Sequence, residues 1–164
     1  MSLETPQEFH GNVADAYHQA LQACTPMLCP AETYTDQRGW SIMNQLKGVL
    51  QPEGQVNFSL QYPGVVKAWH RHQKQTDFWL CVSGRIQVGI HREQDGISWS
   101  TTIDPKHPRV VIIPPTLWHG VATVGSEPAG LLYYVTCAYD PQCPDEQRRP
   151  HESVPGFSWV TSPA

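Results

Sequence analysis

The chain has 164 residues, 40% of them hydrophobic, which is the size of one domain with an ordinary core. Its net charge is −4 and neither sign forms a long block, so the composition argues against a nucleic-acid partner. No apolar run approaches the roughly 20 residues of a membrane span. The first residues are polar where a signal peptide would be apolar, and the five cysteines match no paired zinc spacing. We expect a cytoplasmic protein with free thiols.

The N-terminal segment predicts an amphipathic helix. Thr5 can serve as its N-cap, Pro6 occupies the first helical position, and Glu8 completes a capping box. Apolar residues then recur at helical spacing as far as Cys24. We expect a helix and a loop over residues 1–31, with the apolar face packed on the domain or on a second subunit.

Short apolar or alternating segments follow from about residue 33, separated by Gly, Pro, Asp and Asn. Strands at this spacing are typical of an antiparallel sandwich or barrel. We therefore expect one all-β domain over residues 1–164, with its barrel at 32–139. Residues 140–164 are rich in proline and charge, and Phe157 and Trp159 predict that this tail packs back on the barrel.

Two histidines separated by one residue stand in the stretch "VVKAWHRH". His70 and His72 face the same side of a strand because strand side chains alternate. Asp77 begins the next apolar segment. The spacing of these three residues between Gly64 and Gly84 resembles the first motif of the cupin superfamily, with Asp77 where glutamate is usual.

The stretch "VVIIPPTLWHG" resembles the second cupin motif. Pro114 precedes His119 by five residues, whereas Thr116 and Thr123 replace the usual glycine and asparagine. The resemblance implies a double-stranded β-helix, the cupin jelly roll, with its site inside the barrel.

Three imidazoles and one carboxylate would suit Zn²⁺, Fe²⁺, Ni²⁺ or Mn²⁺, and the donor set does not choose among them. The alternative is that hydrogen bonds satisfy the histidines and that no metal binds. The candidate metal ligands are His70, His72, Asp77 and His119.

Most of the chain also resembles one cupin branch, the dTDP-4-dehydrorhamnose 3,5-epimerase family. The likeness is carried by "DQRGW", "VKAWH", "IPPTLWHGV", "LLYYVTCAYDPQCPDEQR" and "GFSW". It implies a homodimer that acts on a keto-sugar attached to a nucleotide diphosphate.

The resemblance also implies roles for single residues. His70 matches the general base that removes a proton next to the sugar ketone, and Tyr133 matches the acid on the opposite face. Glu152 falls near the acid that orients the base. A slip of one residue would exchange Tyr133 for Tyr134. The implied substrate-binding residues are Arg38, Lys67 and His119.

Two departures from the epimerase pattern fall on candidate metal ligands. His72 replaces a glutamine-like residue, and Asp77 replaces the lysine that would stabilise the enolate. Losing that cation raises the barrier by roughly 3–4 kcal/mol, unless a metal replaces it as Lewis acid. His70 cannot bind a metal through its reactive nitrogen and act as base at once.

The leading functional hypothesis is therefore an epimerase or isomerase of a nucleotide-activated keto-sugar, possible with or without a metal. One alternative is a metal-dependent cupin enzyme, such as a dioxygenase, isomerase or decarboxylase, on another small molecule. The other is a cupin that binds a sugar or a metal without catalysis. The segment "EQRR", residues 146–149, is interpreted as solvated.

Overall fold

The computed structural model describes residues 2–160. These residues form a predominantly β structure with two six-stranded sheets and one helix, which confirms the predicted fold class. The elements are β1 (Leu3–Glu4), β2 (Gln7–Glu8), α1 (Val13–Ala23), β3 (Met27–Pro30), β4 (Thr33–Asp36), β5 (Gly39–Ile42), β6 (Gln55–Gln61), β7 (Val66–Arg71), β8 (Asp77–Ser83), β9 (Ile86–Arg92), β10 (Ile97–Ile103), β11 (Arg109–Ile113), β12 (Trp118–Thr123), β13 (Ala129–Val135) and β14 (Gln147–Arg148).

Most of the strands belong to two six-stranded sheets, whose buried residues share one hydrophobic core. The first sheet has the order β1-β10-β9-β12-β7-β14, and the second has the order β2-β3-β11-β8-β13-β6. β4 and β5 form a separate hairpin. Because strand side chains alternate, every second residue of the central strands points between the sheets, where Ile86, Val88, Ile90 and Ile113 form part of the hydrophobic core.

The helix begins later than predicted. Asn12 is its N-cap, and the Asn12 side chain accepts a hydrogen bond from the backbone N–H of Asp15 at 2.9 Å. The predicted first turn, with Thr5 as cap and Glu8 in the capping box, is wrong because Gln7–Glu8 pairs with β3 as strand β2. The backbone hydrogen-bonding groups of Gln7–Glu8 are paired with β3. Asn12 caps the helix, which begins after the chain leaves the sheet.

The helix covers only part of the outer face of the second sheet. Val13, Ala16 and Ala20 are buried against outward-facing residues of β3, β8 and β11. The outer side of β6 stays open, and Phe58 is 59% exposed there. The outer side of β6 is therefore an exposed apolar surface beside the helix.

The sheets include residues on both sides of the predicted 32–139 limits. β3 lies within the predicted helix and loop, and β14 lies within the predicted tail. Farther along, Phe157 and Trp159 each place their rings 4.8 Å from the ring of Trp69 on the outside of the first sheet. Residues 161–164 of the tail lie outside the described residues. That the whole chain is one domain stays a prediction.

Among residues 2–160, no helix combines the length and the apolar character needed to cross a membrane.

Gly89 lies on β9 beneath the aromatic tail. A Cβ at this position would lie 2.5 Å from Cζ of Phe157 and 2.5 Å from Cη2 of Trp159. We expect Gly89→Ala to displace the tail and to lower the free energy of unfolding by about 1–3 kcal/mol, measured by urea denaturation. The control is the same substitution in a Phe157→Ala/Trp159→Ala background, where its cost should shrink. An equal cost in both backgrounds would contradict a clash with the tail.

Candidate active site

A cavity of about 750 Å³ opens between the two sheets. Its walls are formed by β6, β8 and β13 of the second sheet, by β7 of the first sheet, and by the segment 146–149. A volume of this size accommodates a small organic ligand. The cavity is therefore the candidate active site.

The four candidate metal ligands meet at this cavity. One donor atom from each residue lies within 4.8 Å of the donor atoms of the other three. His119 on β12 is opposite His70 on β7 in the strand register, and the two rings are 4.2 Å apart. His72 follows β7 by one residue, and Asp77 begins β8 on the facing sheet. The structure thus brings together residues 49 positions apart in the chain.

Backbone carbonyl groups fix two of the imidazoles. Nδ1 of His119 donates to the carbonyl of Leu117 at 2.9 Å, and Nδ1 of His72 donates to the carbonyl of Asp145. A carbonyl oxygen only accepts, so Nδ1 carries the proton in each ring and Nε2 carries a lone pair. Nε2 of His119 is buried, has no hydrogen-bond partner among the described residues, and lies 3.9 Å from Oδ2 of Asp77.

Asp77 is held from both sides. Its Oδ1 accepts a hydrogen bond from Nε2 of Gln75 at 2.6 Å, and its Oδ2 accepts one from Nε1 of Trp79 at 2.9 Å. Asp77 is only 3% exposed. The carboxylate therefore has a fixed position next to the imidazoles.

Burial keeps the central imidazoles neutral. It lowers the pKa of His70 to about 3, with a further contribution from His119. It also lowers the pKa of His119 to about 3, with a further contribution from His72. Neutral imidazole is the form that coordinates metal ions. The donor set, the orphaned Nε2 of His119 and the protonation state all fit a divalent transition metal ion, so the cluster could hold one.

The cavity also contains two residues for which the sequence predicted other roles. Tyr133 and Lys67 both line its wall. Burial raises the pKa of Tyr133, and the charges of Asp77 and Glu146 raise it further. Tyr134 points to the other side of β13, where it is buried and its hydroxyl accepts the backbone N–H of Gln51 at 2.6 Å. The register therefore places Tyr133, and not Tyr134, at the site.

Two predicted site residues lie elsewhere. Arg38 is on the β4–β5 hairpin, where its exposed guanidinium pairs with Asp36 at 2.6 Å and does not line the cavity. Glu152 is also exposed and pairs with His151 at 3.0 Å. Glu152 is not among the residues that line the cavity, and its role in orienting the base stays a prediction.

The segment interpreted as solvated instead contributes to the site. β14 pairs with β7, with Arg148 opposite His70. Glu146 and Arg148 line the cavity and form an ion pair of 2.7 Å. Nothing local in the sequence marks this segment, because its position depends on pairing with a strand more than 70 residues earlier.

β6 reverses the usual alternation of a surface strand. Its polar residues face the cavity and its apolar residues face outward. Gln61 is fully buried at the cavity, and its Oε1 has no hydrogen-bond partner within residues 2–160. The sequence "QVNFSLQ" shows that polar and apolar residues alternate, but it does not show which of the two sets faces the interior. The cavity-facing residues of β6 are Gln55, Asn57, Ser59 and Gln61.

Comparison with solved structures supports the fold. The dTDP sugar isomerase of Desulfovibrio desulfuricans superimposes with a TM-score of 0.72 and 24% identity, over 84% of this chain and 92% of that one. This likeness confirms the jelly-roll fold.

Sequence relatives come from polysaccharide and glycan biosynthesis. The spore coat polysaccharide biosynthesis protein SpsL of Bacillus subtilis is 33% identical over 136 residues, which are 78% of this chain and 90% of that protein. The probable low-salt glycan biosynthesis epimerase Agl13 of Haloferax volcanii is 40% identical over 101 residues, 58% of this chain and 65% of that one.

The family model described as the polysaccharide biosynthesis C-terminal domain matches residues 34–147, from the β4–β5 hairpin to the start of β14. This range includes the whole His–Asp cluster and most of both sheets. The chain therefore belongs to the polysaccharide biosynthesis C-terminal domain family.

Proposed function

We propose that this protein is an epimerase or isomerase of a nucleotide-activated keto-sugar. The observation that carries the proposal is the cavity itself, which a histidine of one sheet and a tyrosine of the other both line. His70 belongs to β7 of the first sheet and Tyr133 to β13 of the second. A sugar ring between the sheets would have the Tyr133 phenol on one side and the side chains of His70 and Glu146 on the other. Inversion of a carbon centre requires a proton acceptor and a proton donor on opposite sides in this way.

The relatives support the same reaction class. One is a probable glycan biosynthesis epimerase, one takes part in spore coat polysaccharide synthesis, and a solved structure of the same fold is a dTDP sugar isomerase. These descriptions favour a sugar nucleotide over another small molecule. Since all five cysteines are free thiols, we place the reaction in the reducing cytoplasm.

The proposed chemistry begins at a carbon next to the sugar ketone. A cavity base takes the proton from this carbon and leaves an enolate. The phenol of Tyr133 then gives its proton to the same carbon from the opposite face. The raised pKa of Tyr133 keeps the phenol protonated, so that it can act as the donor.

Two basic side chains are placed to bind the diphosphate. Lys67 and Arg148 both line the cavity, and Arg148 is largely exposed despite its ion pair with Glu146. A diphosphate would compete with the Glu146 carboxylate for this guanidinium, because both are bidentate acceptors. The polar side chains of β6 would hydrogen-bond to uncharged groups of the substrate.

We propose further that His70, His72, Asp77 and His119 hold a divalent transition metal ion, such as zinc, iron, nickel or manganese. The ion would polarise the ketone oxygen as a Lewis acid. In this arrangement His70 orients its lone pair toward the ion and is unavailable as a base. Glu146 is then the cavity carboxylate that can accept the proton.

The open outer face of β6 supports a homodimer. Val56, Phe58 and Leu60 alternate with cavity-facing residues, and each is about half exposed. β6 is also the edge strand of the second sheet. A second copy of the chain would cover an uncharged apolar row and an open strand edge at once. We propose that Arg38, which does not line the cavity of its own subunit, contacts the substrate across such an interface.

The metal content of the purified protein tests the metal proposal. We expect about one transition metal ion per chain by plasma mass spectrometry. His72→Ala and Asp77→Ala should each lose most of it, because each removes one of four donors. His107→Ala is the control, since His107 is 83% exposed at its side chain and distant in sequence from the cluster. Full metal content in both ligand variants would contradict the assignment.

Proton transfer can be followed with a dTDP-linked 4-keto-6-deoxy-hexose in D₂O. We expect the wild-type protein to exchange and invert a carbon next to the ketone, detected by NMR. Tyr133→Phe should lower inversion by about 10²–10⁴-fold, the usual contribution of a positioned acid. Exchange should persist, because the base remains.

Tyr134→Phe is the matched control for this experiment. It removes a hydroxyl that binds the backbone of Gln51 outside the cavity, so it should leave inversion unchanged. Absence of exchange in the wild-type protein would contradict the epimerase proposal and favour a non-catalytic binding function or a different substrate.

The dimer can be tested at the outer face of β6. We expect light scattering to give twice the chain mass of 18.4 kDa for the wild-type protein. Phe58→Asp should shift the mass toward the monomer, because it places a charge in the apolar row. Leu3→Asp adds the same charge at an exposed residue of the first sheet and should not. A monomeric wild-type protein would rule the dimer out.

A further inference from the structure

Asp145 connects the C-terminal segment to the loop that separates two candidate metal ligands. Its Oδ1 accepts the backbone N–H of Gln73 at 2.9 Å. Its Oδ2 accepts the backbone N–H groups of Lys74 at 2.9 Å and Gln75 at 3.2 Å. These three residues lie between His72 and Asp77. One carboxylate therefore holds the whole turn from β7 to β8.

The same residue reaches two ligands by separate routes. Its backbone carbonyl accepts the hydrogen bond from Nδ1 of His72. Through Gln75, whose backbone it binds, it also supports the hydrogen bond from Nε2 of Gln75 to Oδ1 of Asp77. The backbone contact sets the tautomer and the rotation of the His72 ring, and the side-chain contacts set the position of the Asp77 carboxylate.

The segment that carries Asp145 is not anchored by a long element of its own. β14 has two residues and pairs only with β7 among the described strands. Two further backbone hydrogen bonds, both of 3.0 Å, join Arg149 to Trp69. The four contacts of Asp145 hold the start of this segment, whereas Gln147 and Arg149 contact Arg71 and Glu93 of the first sheet and its border. The segment in turn places Glu146 and Arg148 in the cavity.

We infer that Asp145 is the positioning residue of the metal site and couples metal binding to docking of the segment 145–149. The inference rests on the proposed metal ion. An ion that needs His72 and Asp77 in their docked positions binds more tightly when the segment is docked, and by linkage it stabilises docking. Binding of the ion would then also favour the docked segment, which supplies Glu146 and Arg148 to the substrate cavity.

Zn²⁺ affinity, measured by competition with a chromophoric chelator, tests this coupling. Loss of a residue that orients metal ligands typically weakens affinity by about 10–100-fold, and we expect this range for Asp145→Ala. Asp145→Asn should lie between Asp145→Ala and the wild type, because the amide oxygen still accepts but its NH₂ faces a donor. Asp140→Asn is the control, since the Asp140 carboxylate accepts the backbone N–H of Gln142, two residues away.

A second measurement separates positioning from general stability. With Co²⁺ in the site, the visible absorption spectrum reports the ligand geometry, and we expect it to change in both Asp145 variants but not in Asp140→Asn. Hydrogen exchange in residues 73–75 and 145–149 should slow on addition of Zn²⁺ in the wild type and much less in Asp145→Ala. If Asp145→Ala does not fold, Asp145→Asn carries both measurements.

The outcomes distinguish this inference from the proposed function. If the wild-type protein binds no Zn²⁺ in this assay, the proposed metal site itself fails. If the wild-type protein binds Zn²⁺ and both Asp145 variants bind it with the same affinity and spectrum, the metal proposal stands and the role of Asp145 is overturned.

Discussion

The burial of Asp77 is the constraint on which the candidate site depends. A carboxylate between two sheets loses its hydration, and this loss costs several kcal/mol unless hydrogen bonds and counter-charge compensate. Gln75 and Trp79 supply two hydrogen bonds. His70 and His119 lie beside Asp77, and burial keeps both imidazoles neutral, so these two residues supply no counter-charge. A divalent cation among the four donors would supply it.

The same constraint gives a reason for the shape of the surrounding fold. The cluster needs β7 and β12 in register and β8 on the facing sheet, and the sandwich provides both. β6 extends the polar lining by directing its amide and hydroxyl groups inward, which leaves its apolar residues on the outside. Because the polar side chains of β6 line the cavity, its apolar side chains are exposed on the outer face of the sheet. A second copy of the chain is proposed to cover them. The cavity and the proposed dimer interface are two faces of one strand.

Features governed by local periodicity could be predicted from the sequence. The shared face of His70 and His72 follows from strand alternation, and the β-rich class follows from the spacing of short apolar segments. The choice of Tyr133 over Tyr134 came from resemblance, and the strand register agrees with it. Features governed by long-range pairing could not be predicted. The start of the helix depended on pairing of Gln7–Glu8 with β3, and the placement of Glu146, Arg148 and Glu152 depended on where β14 docks.

The two possible roles of His70 have different electrostatic requirements. A histidine with a pKa of about 3 is neutral and suited to metal coordination, but it is a weak acceptor for a carbon-bound proton. An enolate formed beside Asp77 would also face an anion. Both difficulties disappear when a cation occupies the cluster, because the cation uses the neutral lone pair of His70 and offsets the charge of Asp77. Proton transfer would then fall to Tyr133, which β6 and β8 position, and to Glu146, which precedes β14 in the segment that Asp145 joins to residues 72–75.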